Sequence, residues 1–205
     1  MRILSSGSRG LLVELEDTMP LVAAITKARP DFLEDFVPGA RTVLLTAQAN
    51  RFVDQMRSWL EAIPMEGGNQ PPGGKGRQQE PPVDVPVTYD GEDLPRVAKL
   101  IGITVAAFVE LHTSVIHTVA FCGFSPGFPY MTGLPESLWL PRLTTPRTRV
   151  PGGSVAIAGC YSGIYPRNSP GGWHLIGRTE MMMWCSDRKQ PALLTPGTRV
   201  RFQPR

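Results

Sequence analysis

The chain has 205 residues, with 21 Lys and Arg against 18 Asp and Glu, a formal net charge of +3 and three cysteines. No block of like charge speaks for a nucleic-acid partner, no apolar run nears the roughly 20 residues that span a bilayer, and the opening MRILSSGSRG lacks the apolar stretch of a signal peptide. Cys122, Cys160 and Cys185 are odd in number, far apart and in no C-x-x-C spacing, which reads as reduced thiols in a cytoplasmic protein.

In chain order, Gly10–Glu16 has strand-like apolar content, and Met19–Ala28 reads as a helix with Asp17 or Thr18 at its N-cap. Phe32–Val37 and Thr42–Ala47 read as strands around the turn at Pro38-Gly39. Asn50–Ile63 is the clearest helix, with Phe52, Val53, Met56, Trp59, Leu60 and Ile63 at helical spacing. Glu66–Pro82 is rich in Gly, Pro and Gln with almost nothing to bury, so disorder is expected there. Val83–Tyr89 alternates like a strand, and Pro86 suits an edge position. The resulting β-α-β-β-α-β order is the ferredoxin-like split βαβ over residues 1–90, with 66–82 as a long loop before its last strand.

Beyond Asp90 come two short helices, Asp93–Leu100 and Val105–His112, the second capped by Thr104 and the two joined at Gly102. A helix-turn-helix reading fails on chemistry, because the second helix carries no Arg, Lys, Asn or Gln for base edges. Strands are expected at Ile116–Cys122, Gly153–Gly159, Trp173–Trp184 and Thr198–Phe202. Short strands between strong turn signals favour a closed barrel over 91–205, making the whole chain α+β.

The stretch Gly123–Thr179 holds ten of the 21 glycines and eight of the 21 prolines, interleaved with aromatics and arginines. Such spacing specifies turns one by one, and rigid loops on a sheet scaffold are where binding groups sit. Gly123-Phe124-Ser125-Pro126-Gly127 has the spelling of a hydrolase nucleophile elbow. The residue after the serine must donate an N–H and start a helix, however, and Pro126 does neither. The three histidines, His112, His117 and His174, form no helical ligand pair, so no metal site is expected, and no P-loop is present. Arg142, Arg147, Arg149, Arg167 and Arg178 all lie in this stretch. Each reads either as a loop bridge or as part of an anion site, for which a guanidinium suits carboxylate or phosphate. Gly171 and Gly172 would let backbone amides approach the same anion. Phe124, Phe128, Tyr165 and Trp173 (with Tyr130) read as core or as interface anchors lining a site.

The runs Gly123-Phe124-x-Pro126-Gly127-Phe128, Pro141-Arg142, Pro146-Arg147, Val150-Pro151-x-Gly153, Gly163-Ile164-Tyr165-Pro166 and Ser169-Pro170-Gly171-Gly172-Trp173-x-x-Ile176-Gly177-Arg178-Thr179 resemble the allophanate hydrolase subunit 1 family. Weaker likeness continues upstream through Val85-Pro86-Val87-x-Tyr89-Asp90-Gly91, Asp93-Leu94 and Leu111-His112. The resemblance implies a cyclophilin-like barrel for 91–205. It also implies a subunit of an ATP-dependent 5-oxoprolinase, with Mg-ATP shared with a subunit-C-like partner and a subunit-A-like one. Other jobs in the family give the alternatives: a regulator that inhibits a histidine kinase, or a carboxyltransferase-type module related to urea carboxylase. His112 falls on the family's Leu-His position; it is either a general base or a helix-end residue, where the macrodipole would favour its protonated form. On this reading Arg142, Arg147, Arg149, Arg178, Gly171 and Gly172 hold substrate or phosphate.

Overall fold

Leu11 and Val13 alternate with half-buried neighbours, and so do Val43, Leu45 and Ala47; the two sets meet in register, Leu11 opposite Leu45 and Val13 opposite Val43. The computed structural model describes residues 1–64 and 81–205, and the chain divides into two units, Met1–Gln78 and Gln79–Arg205. Glu66–Pro82, expected to be disordered, lies outside the described residues except for Pro81 and Pro82.

In the first unit the elements run β1 (Arg2–Ser6), β2 (Gly10–Glu14), α1 (Met19–Lys27), β3 (Leu33–Pro38), β4 (Thr42–Ala47), a 3-10 turn at Asn50–Phe52 and α2 (Val53–Ala62). The sheet order is β1-β2-β4-β3 and every pairing is antiparallel. β2 and β3 therefore run parallel with β4 between them, which is a split βαβ. Leu21, Val22 and Ile25 of α1 and Met56 and Leu60 of α2 join the buried face of β2 and β4 in one core. The expected order needs correction at its ends: β1 takes the sheet edge beside β2 that Val83–Tyr89 was expected to fill.

The second unit contains β5 (Val83–Val87), α3 (Leu94–Ile101), α4 (Val105–Thr113), β6 (His117–Cys122), β7 (Pro129–Thr132), β8 (Arg147–Val150), β9 (Ser154–Ala158), β10 (Tyr161–Ile164), β11 (Ser169–Gly171), β12 (His174–Arg178) and β13 (Arg199–Pro204). Seven of these strands form one sheet in the order β12-β9-β10-β7-β6-β13-β5. β5 pairs in parallel along its whole length with β13, so the boundary expected at residue 90 moves to about 78. Thr88 and Arg178 exchange backbone hydrogen bonds of 2.9 Å in both directions, joining the two edge strands and nearly closing the barrel. Gly177 permits this seam, since a Cβ there would stand 2.6 Å from the Thr88 carbonyl oxygen. α4 is capped as expected, with Thr104 Oγ1 accepting from the Ala107 N–H, and Gly102 ends α3 at φ 82°.

β9 is buried on both faces. Val155 and Ile157 point into the barrel core with Val87, Phe108, Met131 and Phe202, whereas Ala156 and Ala158 face a second, outer cluster around Phe128, Tyr165 and Trp173. The small outer residues make room for rings. At Gly171 a Cβ would overlap the Tyr165 hydroxyl. Gly171→Ala is expected to cost about 1–3 kcal/mol by overpacking, read as a lowered denaturation midpoint. A midpoint equal to wild type would contradict this packing.

Candidate functional site on the outer barrel face

The outer cluster gathers most of the residues singled out from the sequence. Phe128 packs edge-on to Tyr165 (5.1 Å between centroids) and Trp173 (5.3 Å). The loop between β6 and β7 carries Phe124 at φ 65°, a left-handed conformation that a bulky residue adopts at a cost. Three hydrogen bonds hold the loop there: Ser125 N–H to Gly123 O, Phe128 N–H to Ser125 O and Gly123 N–H to Phe128 O. Phe124 is thereby kept 59% exposed while its ring touches Phe128 and Tyr165 edge-on. A hollow of about 410 Å³ adjoins it, lined among others by Cys122, Pro126, Trp184 and Ala192. The strained residue is Phe124 and not Ser125, a strand follows, and the buried Ser125 Oγ has no hydrogen-bond partner among the described residues. This loop holds no nucleophile elbow.

The arginines separate by their partners. Arg142 is exposed and stacks its guanidinium 5.9 Å from the Trp173 ring; among the described residues it meets no carboxylate, and neither does the exposed Arg149 on β8. Gly172 sits beside Arg142, its carbonyl accepting from the Leu143 N–H at 2.7 Å. Burial raises the Tyr165 hydroxyl above its ordinary pKa, against the opposing pull of a backbone hydrogen bond with Trp173 and the charges of Arg142 and Arg147. Arg178 lies apart, at the barrel seam, paired with Asp90.

Arg147 brings its own counter-ions. Its Nη2 donates to both carboxylate oxygens of Asp93 at 2.8 Å, its Nε meets Glu92 at 2.5 Å, and its Nη1 donates to the Trp173 carbonyl at 3.3 Å. Asp93, 4% exposed, also accepts from Arg96 (2.9 Å) and from the Leu175 N–H (2.8 Å). Burial alone would raise its pKa; the bonds from Arg96, Leu175 and Arg147, with the charge of Arg147, hold it below the usual range. From sequence, Asp93 reads as a helix start and, with Leu94, as part of the weaker family likeness, with no role attached. It does stand at the N-cap of α3, but its side chain caps nothing in that helix and turns to the arginines. An Asp followed by Leu94-Pro95 is the visible signal, and it cannot reveal partners 54 and 82 residues away.

His112 lies elsewhere, fully buried inside the barrel. Its Nδ1 bonds the Tyr89 hydroxyl (2.8 Å), its Nε2 bonds Ser162 Oγ (3.1 Å), and its carbonyl accepts from His117 Nε2 (3.1 Å). Burial, and then the neighbouring His117, hold its pKa well below the ordinary 6.5, so the expectation of a dipole-favoured imidazolium is corrected. Desolvation outweighs a helix-end dipole worth about 0.3–1 kcal/mol. Burial also lowers His117. Unfolded histidines take up protons near pH 6.5, whereas these two do so only at lower pH. Stability should therefore be level above about pH 7 and decline below about 6.5, by up to about 1.4 kcal/mol per pH unit for each. Urea midpoints at about pH 7.5 and 5.5, on either side of the ordinary histidine pKa, check this, and equal midpoints would contradict it.

Among the described residues no group of His, Cys, Asp or Glu is placed to hold a metal ion, and no helix is long and apolar enough to cross a membrane. Burial pushes the Cys122 thiol up to about 11, which leaves it unreactive.

Known proteins resemble the chain as follows. The family model for the carboxyltransferase domain, subdomain C and D, matches residues 1–194. The B subunit of the Haemophilus influenzae 5-oxoprolinase is 48% identical over 123 residues, a match that covers 58% of this chain and only 58% of that protein's length. The crystal structure of TTHA0988 superposes with a TM-score of 0.78 at 35% identity, over 96% of this chain and 40% of that one. Kluyveromyces lactis urea carboxylase shares the fold, with a TM-score of 0.73 at 19% identity over 99% of this chain and 21% of that one.

Proposed function

We propose that this chain, which belongs to the carboxyltransferase domain family, subdomain C and D, is one subunit of an ATP-dependent 5-oxoprolinase. It lends its outer barrel face to a site completed by subunit-C-like and subunit-A-like partners. The observation that carries the reading is the contrast between the barrel's two faces. Outside, Arg142 stands on Trp173 near Tyr165, which Phe124 touches in turn, and it is free of carboxylates among the described residues. Inside, the chain's Ser162–His112–Tyr89 relay is sealed, with serine and histidine fully buried. A chain so built offers a place to bind, while its histidine base and serine cannot reach substrate. The relatives named as B subunits of 5-oxoprolinase, 40–48% identical, support the choice of reaction.

The chemistry suits such a division. A five-membered lactam is resonance-stabilised and poorly electrophilic, and phosphorylating its oxygen with ATP creates a leaving group on an activated carbon. Negative charge then develops on oxygens, where guanidinium groups stabilise it. Arg142 is the exposed cation seated on this cluster and fits such an anion, whether the carboxylate of the lactam acid or a phosphoryl group; Arg149 and Arg167 are exposed as well. The shared fold with urea carboxylase supports a second reading as a carboxyltransferase module.

Complementation tests the proposal. In a bacterium whose own gene for the corresponding 5-oxoprolinase subunit is deleted, this chain should restore consumption of 5-oxoproline. Failure to do so, with the chain expressed and folded, would favour the carboxyltransferase reading.

A further inference from the structure

We infer that Arg142 is the anion-holding residue of the outer face and that His174 is its positioning residue. The inference rests on reading that face as anion-binding. His174, which the sequence offers only as a strand residue, is 4% exposed on β12. Arg96 Nη2 approaches its Nδ1 at 3.0 Å, and its Nε2 lies 2.8 Å from the Pro141 carbonyl oxygen. A guanidinium only donates and a carbonyl only accepts, so the tautomer is dictated: Nδ1 carries the lone pair and Nε2–H donates to Pro141. Arg96 is in turn held by the buried Asp93 carboxylate at 2.9 Å.

Pro141 immediately precedes Arg142. On its other side the Leu143 N–H donates to the Gly172 carbonyl at 2.7 Å, and the Arg142 guanidinium lies over Trp173. The residue is thus pinned before, behind and along its side chain to the segment Gly172–His174. An exposed arginine serving solubility needs no such support. A relay of Asp93, Arg96, His174 and the Pro141 carbonyl, ending beneath a cation that meets no carboxylate among the described residues, is what preorganised anion recognition requires. The ligand is an anionic oxygen group, carboxylate or phosphoryl.

The test is a titration of the ¹⁵N-labelled chain with acetate and with inorganic phosphate, followed at the Leu143 amide and the Trp173 indole N–H. Wild type should show saturable shifts with at least one anion, the tighter of the two naming the group. Arg142→Gln should abolish saturation. His174→Phe should weaken it about 10-fold or more. His174→Gln, whose Nε2 donor still reaches the Pro141 carbonyl, should stay within about 3-fold of wild type. Arg96→Met supplies a second variant in which His174 remains but is free to turn, and it should weaken binding as His174→Phe does. Wild-type affinity in both His174→Phe and Arg96→Met, no rescue by Gln, or no saturation in wild type would each overturn the inference. Because the titration uses the chain alone, it is decided independently of which reaction the assembled enzyme catalyses.

Discussion

Asp93→Ala is expected to destabilise the second unit by about 3–5 kcal/mol, a fall in Tm of roughly 6–20 °C for a chain of this size. The substitution removes a nearly buried carboxylate that receives four hydrogen bonds: two from Arg147, one from Arg96 and one from the Leu175 N–H. It leaves the half-buried Arg147 without its inner counter-ion and the Leu175 donor unpaired, and these uncompensated groups carry most of the cost. The Asp93 backbone N–H also donates to the Leu175 carbonyl, so α3 and β12 would lose half of a reciprocal tie. Glu92→Gln is the contrasting case. Glu92 touches the same arginine, but its side chain is 61% exposed, and a change within about 1 kcal/mol is expected. Thermal denaturation of both variants checks the pair, and an Asp93→Ala variant as stable as Glu92→Gln would show that the network carries no stability.

Arg142→Ala is expected to lower kcat/KM of the assembled enzyme about 10- to 150-fold, the effect of losing a charge-assisted contact of roughly 1.5–3 kcal/mol. The Tm should stay near wild type, because Arg142 is exposed and the substitution removes no hydrogen bond of the Asp93 network. Lys should restore activity only in part, keeping the charge but losing the planar fork. Arg147→Ala and Arg178→Ala should behave differently from the ligand-binding residues they were expected to be. The first should show itself mainly as lost stability, and the second as little change, since the Arg178 side chain is 66% exposed in its pair with Asp90. Steady-state kinetics beside denaturation curves separates the three. An Arg142→Ala enzyme with unchanged kcat/KM would remove the outer face from the chemistry.

Local pattern carries some of the structure well. Thr42–Ala47 alternates and is β4 to the residue, and Thr104 and Gly102 bound α4 and α3 where capping chemistry puts them. What local pattern cannot supply is pairing. Val83–Val87 reads as a strand in any context, and only its partner, β13, more than a hundred residues on, assigns it to the barrel. Trp173–Trp184 looks like one long strand, yet only His174–Arg178 is extended in the sheet, since the seam with Thr88 ends it. In the site, the arginines and aromatics are visible because Pro and Gly frame them. Which arginines are free is not visible, because Asp93, Glu92 and Asp90 precede them by more than fifty residues. His174 is silent for the same reason: its tautomer and its role depend on Arg96, 78 residues away.

The central claim, that this chain works as a non-autonomous part of a 5-oxoprolinase, meets its most direct test in 5-oxoproline-dependent ATP hydrolysis by purified components. Measured for the chain alone, for each pairing, and with subunit-C-like and subunit-A-like partners together, turnover should appear only in the complete mixture. Hydrolysis by the chain alone would contradict the account. So would a complete mixture that stays inactive with this chain yet turns over when the partners are given the natural counterpart from their own complex.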